Sequence, residues 1–174
     1  MASTYTLISS QVLGSSAASV TFSSIPSTYK DLVLRVSARS DSSAGGILDY
    51  LDITYNGDTT STYSATNIYA NGSTANSYRD SNVSPSTANY EAYSPSAGAT
   101  ANTFSSVEFY IPNYTSSANK PVSIISAIEN NATLGYIVPV AQLWRGTVAI
   151  SSISLASNLS HNFVSGSSFY LYGI

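Results

Sequence analysis

The stretch AISSISLASNLSHNFVSGSSFYLYGI, residues 149–174, decides the fold. Val148, Ile150, Ile153 and Leu155 are short apolar runs of period two separated by serines. A polar loop, 156–160, interrupts them, and the alternation resumes with Phe169 and Leu171 on one face and Tyr170 and Tyr172 on the other. Such alternation marks a half-buried strand, because successive side chains point to opposite faces. No polar tail follows Ile174. Since termini fray unless tied down, the closing strand is expected inside a sheet, paired with earlier strands.

Working outward, earlier segments repeat the pattern. Tyr5-Thr6-Leu7-Ile8, residues 18–22 and residues 32–38 read as strands, the second stopped by Pro26. Residues 48–55 form another, ending at Asn56-Gly57, the commonest tight-hairpin signal. Val107, Phe109 and Ile111 share one face of a strand that stops at Pro112. Residues 121–128 are mostly apolar and are expected to be central, with both faces buried. Residues 136–143 contain Pro139, which places that strand at an edge or a bulge.

Between these segments, residues 59–103 are polar and rich in Ser, Thr, Asn, Ala and Tyr. One short strand, Ile68-Tyr69-Ala70, is legible before Asn71-Gly72. A structureless loop of this length is unusual in a compact domain, so this part is expected to combine short strands with surface laid on a partner. No long segment shows a 3.6-residue period. About eight to ten short strands with Gly, Pro and Asn punctuation predict an all-β chain. The expected architecture is an antiparallel β-sandwich, jelly-roll-like, as one domain over 1–174 with a polar insertion at about 59–103.

Composition narrows the function. Only 9% of the 174 residues are charged and the net charge is −3, against a usual quarter charged. Lys30, Arg35, Arg39, Arg79, Lys120 and Arg145 are scattered, so no basic footprint for nucleic acid exists. No apolar run reaches the ~18 residues of a membrane span, and the N-terminus lacks a signal-peptide pattern. The chain is therefore expected to be made in a cytoplasm. Cysteine is absent, which removes disulfides and thiolate metal sites.

Site chemistry is sparse. His161 is the only histidine and lies in a loop beside Asn162, where a surface role is expected. Asp49, Asp52 and Asp58 cluster, but Asp49 and Asp52 differ by three and so point to opposite faces of a strand; no metal site is expected. Glu91, Glu108 and Glu129 are too dispersed to nominate a glycosidase pair. No cofactor and no enzymatic activity are expected. Tyr, at 14 copies, supplies rigid amphipathic contact area. Tyr63, Tyr69, Tyr78, Tyr90, Tyr93 and Tyr114 are the candidate anchors of a partner surface formed by residues 59–103 and the loop around Asn113. Their warrant is that this part has few aliphatic side chains to compensate its own ordering.

Several segments also occur in a suggestive order: Tyr5-Thr6-Leu7-Ile8, residues 20–32, Tyr55-Asn56-Gly57-Asp58, Ile111-Pro112-Asn113-Tyr114, residues 129–133, Leu143-Trp144 and residues 169–174. In that order they resemble a group of tailed-bacteriophage virion proteins, common among phages of aquatic bacteria. The resemblance covers nearly the whole chain apart from its middle. It implies a β-sandwich structural protein at the virion surface, made in the host bacterial cytoplasm, with no catalytic residues carried over. The first expectation is a capsid decoration, or cement, protein that binds the major capsid protein as a homotrimer. The alternative is a tail-fibre or spike module that contacts tail proteins or a host surface glycan. A polysaccharide-degrading enzyme is a weaker third.

Overall fold

The structure, a computed structural model, describes residues 4–43, 46–87, 92–131 and 134–174. These residues form strands β1 (Thr6–Val12), β2 (Ser19–Phe22), β3 (Leu32–Ser37), β4 (Leu48–Tyr55), β5 (Tyr63–Ala70) and β6 (Ala75–Val83). They continue with β7 (Tyr93–Pro95), β8 (Ser106–Ile111), β9 (Lys120–Ile128), β10 (Tyr136–Trp144), β11 (Ile153–Ser157) and β12 (Ser168–Gly173). Two single 3-10 turns, Pro85–Thr87 and Asn158–Ser160, lie between strands.

The strands make two antiparallel sheets packed as a sandwich, one of order β1-β12-β3-β8-β9-β10-β5-β6 and one of order β2-β11-β4-β7. The eight-over-four split departs from the paired four-stranded sheets of a jelly roll. The core lies between the sheets. Leu34, Phe109, Ile124, Phe169 and Leu171 come from the larger sheet, and Leu51, Ile53, Ile153 and Leu155 from the smaller; all are completely buried.

The closing strand is placed as its alternation predicts. β12 pairs with β1 on one side and β3 on the other, with Phe169 and Leu171 inward and Tyr170 and Tyr172 half-buried. Backbone bonds between Ile174 and the segment Lys30–Asp31 tie the end down. Gly173 lies beneath the Tyr29 ring, which a Cβ there would meet at 2.2 Å.

Three expectations are corrected. β9 is central, between β8 and β10, yet alternates buried and exposed along its length, with Ile125 51% exposed; a sandwich covers only one face of each sheet. β10 is central too, and Pro139 is at neither an edge nor a register shift. Pro139 pairs with Ile125 of β9, while the ladder to β5 passes from Ile137 to Val140. A residue without an N–H fits a ladder at such a gap. Asn56-Gly57 makes a tight turn with both φ angles positive, but it carries the chain from the smaller sheet to the larger rather than closing a hairpin. The Asn56 amide also accepts from the Ser151 and Ser152 backbone and donates to the Ala149 carbonyl. This pins the approach to β11.

The largest difference concerns residues 59–103, which supply β5, β6 and β7 and thus belong to both sheets. Their composition conceals them. β5 buries Tyr63, Ala65 and Asn67 where a usual strand buries aliphatics, and β6 is exposed almost throughout. Asn71-Gly72 does close a hairpin: Asn71 Oδ1 accepts from the Ser73 and Thr74 backbone, and Gly72 takes a left-handed φ of 88°.

Candidate interaction surface

The tyrosines singled out in sequence separate into two groups. Tyr63, Tyr93 and Tyr114 are buried in the sandwich, so their rings serve the chain's own core; as exposed partner anchors they are corrected. Tyr90 lies outside the described residues. Tyr69 is half-buried and Tyr78 is 41% exposed.

Tyr78, Tyr69 and Tyr93 nevertheless belong to one structure. Tyr78 on β6 stacks on Tyr69 of β5, with ring centroids 5.6 Å apart and planes 3° from parallel. Tyr69 meets Tyr136 of β10 at 6.1 Å, Tyr136 meets Tyr93 of β7 at 5.6 Å, and Tyr93 meets Tyr50 of β4 at 5.2 Å. The chain of rings therefore runs from the edge of the larger sheet into the smaller one. Aromatic pairs of this spacing contribute about 0.5–1.5 kcal/mol each beyond their burial. Sequence reasoning missed Tyr136 and Tyr50. Tyr136 shares its period-two parity with Val138 and Val140, and that signal was available in the sequence.

A second aromatic cluster fills the opposite end of β5. Tyr55 lies 6.1 Å from Tyr63 and 5.5 Å from Trp144. Tyr63 donates its hydroxyl to the Asp58 carbonyl, Tyr55 donates to Gln142, and the Trp144 indole donates to Asp58 Oδ2 at 2.8 Å. Asp58 also accepts from the Thr60 and Thr62 hydroxyls and the Thr60 amide. Burial pushes the Asp58 carboxyl up, but the hydrogen bonds from Thr60, Trp144 and Thr62 outweigh it and hold the group well below the usual range. Tyr114 donates to the Pro26 carbonyl, which fixes the loop after β8.

Two of the cations act inside the molecule. Arg39 is 9% exposed and donates to the carbonyls of Ala97, Ala99, Thr100 and Thr103, holding that loop in shape. Lys120 is fully buried and donates to the carbonyls of Ser116, Ala118 and Gly146. Burial lowers the pKa of both cations.

Asp49, Ser157 and His161 converge, which in composition is a Ser-His-Asp set. Their connectivity is different. Ser157 Oγ donates to Asp49 Oδ2, and His161 Nδ1 lies 3.1 Å from that same oxygen. In a catalytic triad the serine bonds to the imidazole, which removes its proton. Here Ser157 is buried and its proton is held by the carboxylate. The arrangement fastens residues 157–161 to β4 and does not activate the serine. Beside it, Asp52 Oδ1 accepts from the Asn158 amide at 3.0 Å. Although Asp49 and Asp52 stand three apart on β4, both reach the same segment, and the Asp49 charge adds to burial in raising the Asp52 pKa. Among the described residues no group of three or more His, Asp or Glu side chains is arranged to hold a metal.

The outer face of the larger sheet carries a shallow depression of about 530 Å³ across β3, β8, β9 and β12. Arg35 there pairs with Glu108 at 2.9 Å and lies 5.0 Å from the Tyr5 ring centre and 5.8 Å from that of Tyr172. Compared with known proteins, the chain matches no family model, no curated protein and no solved structure.

Proposed function

We propose that this protein is a structural component of a tailed-phage virion, acting as a capsid decoration protein that braces the outer surface of the shell. The observation that carries the reading is the β5–β6 hairpin. It forms one edge of the larger sheet, exposes β6 along its length and presents the Tyr69–Tyr78 stack beside only two charges, Arg79 and Asp80. An exposed edge strand offers backbone groups for pairing with another chain, and a stacked pair of tyrosines offers rigid contact area. A nearly neutral surface limits repulsion among crowded copies. The resemblance noted from the sequence supports the same reading. Assembly as a homotrimer, with the β6 or β1 edge at the subunit contact, belongs to the proposal.

Copy number on purified particles tests it. Many copies spread over the shell support decoration, and a handful confined to the tail defeat it. Limited proteolysis adds a second measure: cleavage within 71–83 should slow on the particle, and equal rates on free and bound protein would place the contact elsewhere. The alternative is a tail module that binds a host glycan. It is favoured by the aromatic chain Tyr78–Tyr69–Tyr136, because tyrosine faces suit the apolar faces of sugar rings. Saturable binding to a neutral polysaccharide, lost in Tyr78→Ala, would select it.

A further inference from the structure

A cleft of about 140 Å³ opens on the outer side of the smaller sheet, lined by Thr54, Thr59, Pro85, Ser86, Ser154 and Ala156, with Asp52 among its walls. β4 and β11 supply its floor, and the 85–87 turn closes one side. Asp52 is only 9% exposed. Its Oδ1 is held by Asn158, whereas among the described residues none bonds to its Oδ2. A carboxylate removed from water without a counter-charge is costly, and none of the six other lining residues carries a charge. Among the described residues, the other titratable groups nearby are Asp49, on the same strand and of the same sign, and His161, which faces Asp49.

We propose that this cleft is an anchor pocket for one lysine side chain of a partner protein, with Asp52 as the counter-charge. The lining matches both parts of that side chain. Pro85 and Ala156 offer apolar contact to the methylene stem, and Thr54, Thr59 and Ser86 are hydroxyl-bearing residues of the same lining. Lysine is preferred to arginine for a geometric reason. A guanidinium gains most from both oxygens of a carboxylate, and here one oxygen is already taken by Asn158. An ammonium is a point charge that one oxygen and neighbouring hydroxyls satisfy. The proposal is independent of where the protein acts, so it stands or falls apart from the virion reading.

Burial and the nearby Asp49 raise the Asp52 pKa to about 6, against the opposing bond from Asn158. A bound ammonium favours the ionised form, so occupancy should drop as the pH falls through that value and Asp52 takes up its proton. Affinity at pH 5 should be about tenfold weaker than well above pH 6.

The test uses the full chain and n-butylammonium as the probe, followed by NMR at constant ionic strength. The expected result is a saturable shift of the Asp52 side-chain carbonyl and of the Thr54, Ser86 and Ser154 amides at pH 7.5, with the Asp52 pKa lowered at saturation. Asp52→Asn should abolish the response while the remaining spectrum stays native. Ala156→Leu, which fills the cleft and leaves the carboxylate in place, should abolish it too. An absent or non-saturable shift would overturn the proposal, as would an undiminished response in Asp52→Asn or an equal response to sodium.

Discussion

β9 and β6 are both nine residues long and belong to the same sheet, yet they are held by different forces. β9 has a hydrogen-bonded strand on either side and buries Val122, Ile124, Ser126 and Ile128 against the smaller sheet. β6 has one neighbour, β5, and is exposed almost throughout. Burying one aliphatic side chain contributes roughly 1.5–3 kcal/mol, so β9 is fixed by the core. β6 keeps its place by its ladder to β5 and by the ring contact between Tyr69 and Tyr78, since cross-strand pairs contribute about 0.2–1 kcal/mol each. The difference teaches where the molecule has stability to spare. The covered strands carry the fold, and the uncovered hairpin is free to serve a contact.

The largest effect expected from this contrast is in β9. Ile124→Ala should cost about 2–5 kcal/mol in urea unfolding, because it opens a cavity between the sheets. A value near that of an exposed β6 substitution would erase the distinction between the strands.

Next is Asp58, where the covered end of β5 is fastened. Asp58→Asn should cost about 1.5–3 kcal/mol by weakening bonds to an ionised acceptor. The native group titrates below its unfolded value. Its stabilisation is therefore present above the ordinary carboxylate pKa near 4 and is lost as the pH falls below that value. The wild-type and Asp58→Asn stabilities should converge on acidification.

Asp52 has the opposite sign. Its pKa of about 6 lies above the unfolded value, so its favourable contribution is full below about pH 4 and is lost as the pH rises through about 6. Asp52→Asn should stabilise the protein by ~1–3 kcal/mol at pH 7.5 and by little at pH 4. For a chain of this size that is a rise in Tm of several degrees, at about 2–4 °C per kcal/mol, readable by calorimetry at the two pH values.

Tyr78→Ala closes the series, with a cost of about 0.5–1.5 kcal/mol, together with a disproportionate loss of particle binding. A large stability loss with normal occupancy would assign β6 to the core and move the contact surface elsewhere.

Strands that cover the core with aliphatic side chains were the plainest in sequence. β3, β8 and β12 announce themselves because a face packed on a core must be apolar, and period two then stands out in Leu32, Leu34 and Val36 or in Val107, Phe109 and Ile111. β6 carries no such signature, since neither of its faces is required to be apolar. Tyr63, Tyr93 and Tyr114 were misplaced for a related reason. A tyrosine reads alike whether its ring contacts a partner or its own core, and the deciding factor is a hydroxyl acceptor supplied from elsewhere, Asp58 for Tyr63 and Pro26 for Tyr114.

What the sequence by itself determined is the all-β character, most of the aliphatic strands that face the core and the pairing of the final strand, because alternation is a local consequence of backbone geometry. Only the tertiary structure decided the eight-over-four split, the chain of tyrosines across both sheets and the meeting of Asp49 and Asp52 with Ser157, Asn158 and His161. Asp49 and Ser157 are 108 residues apart, and Tyr78 and Tyr136 both meet Tyr69 only because β5 pairs with both their strands. Antiparallel pairing between distant segments creates such neighbours, and no local pattern encodes them.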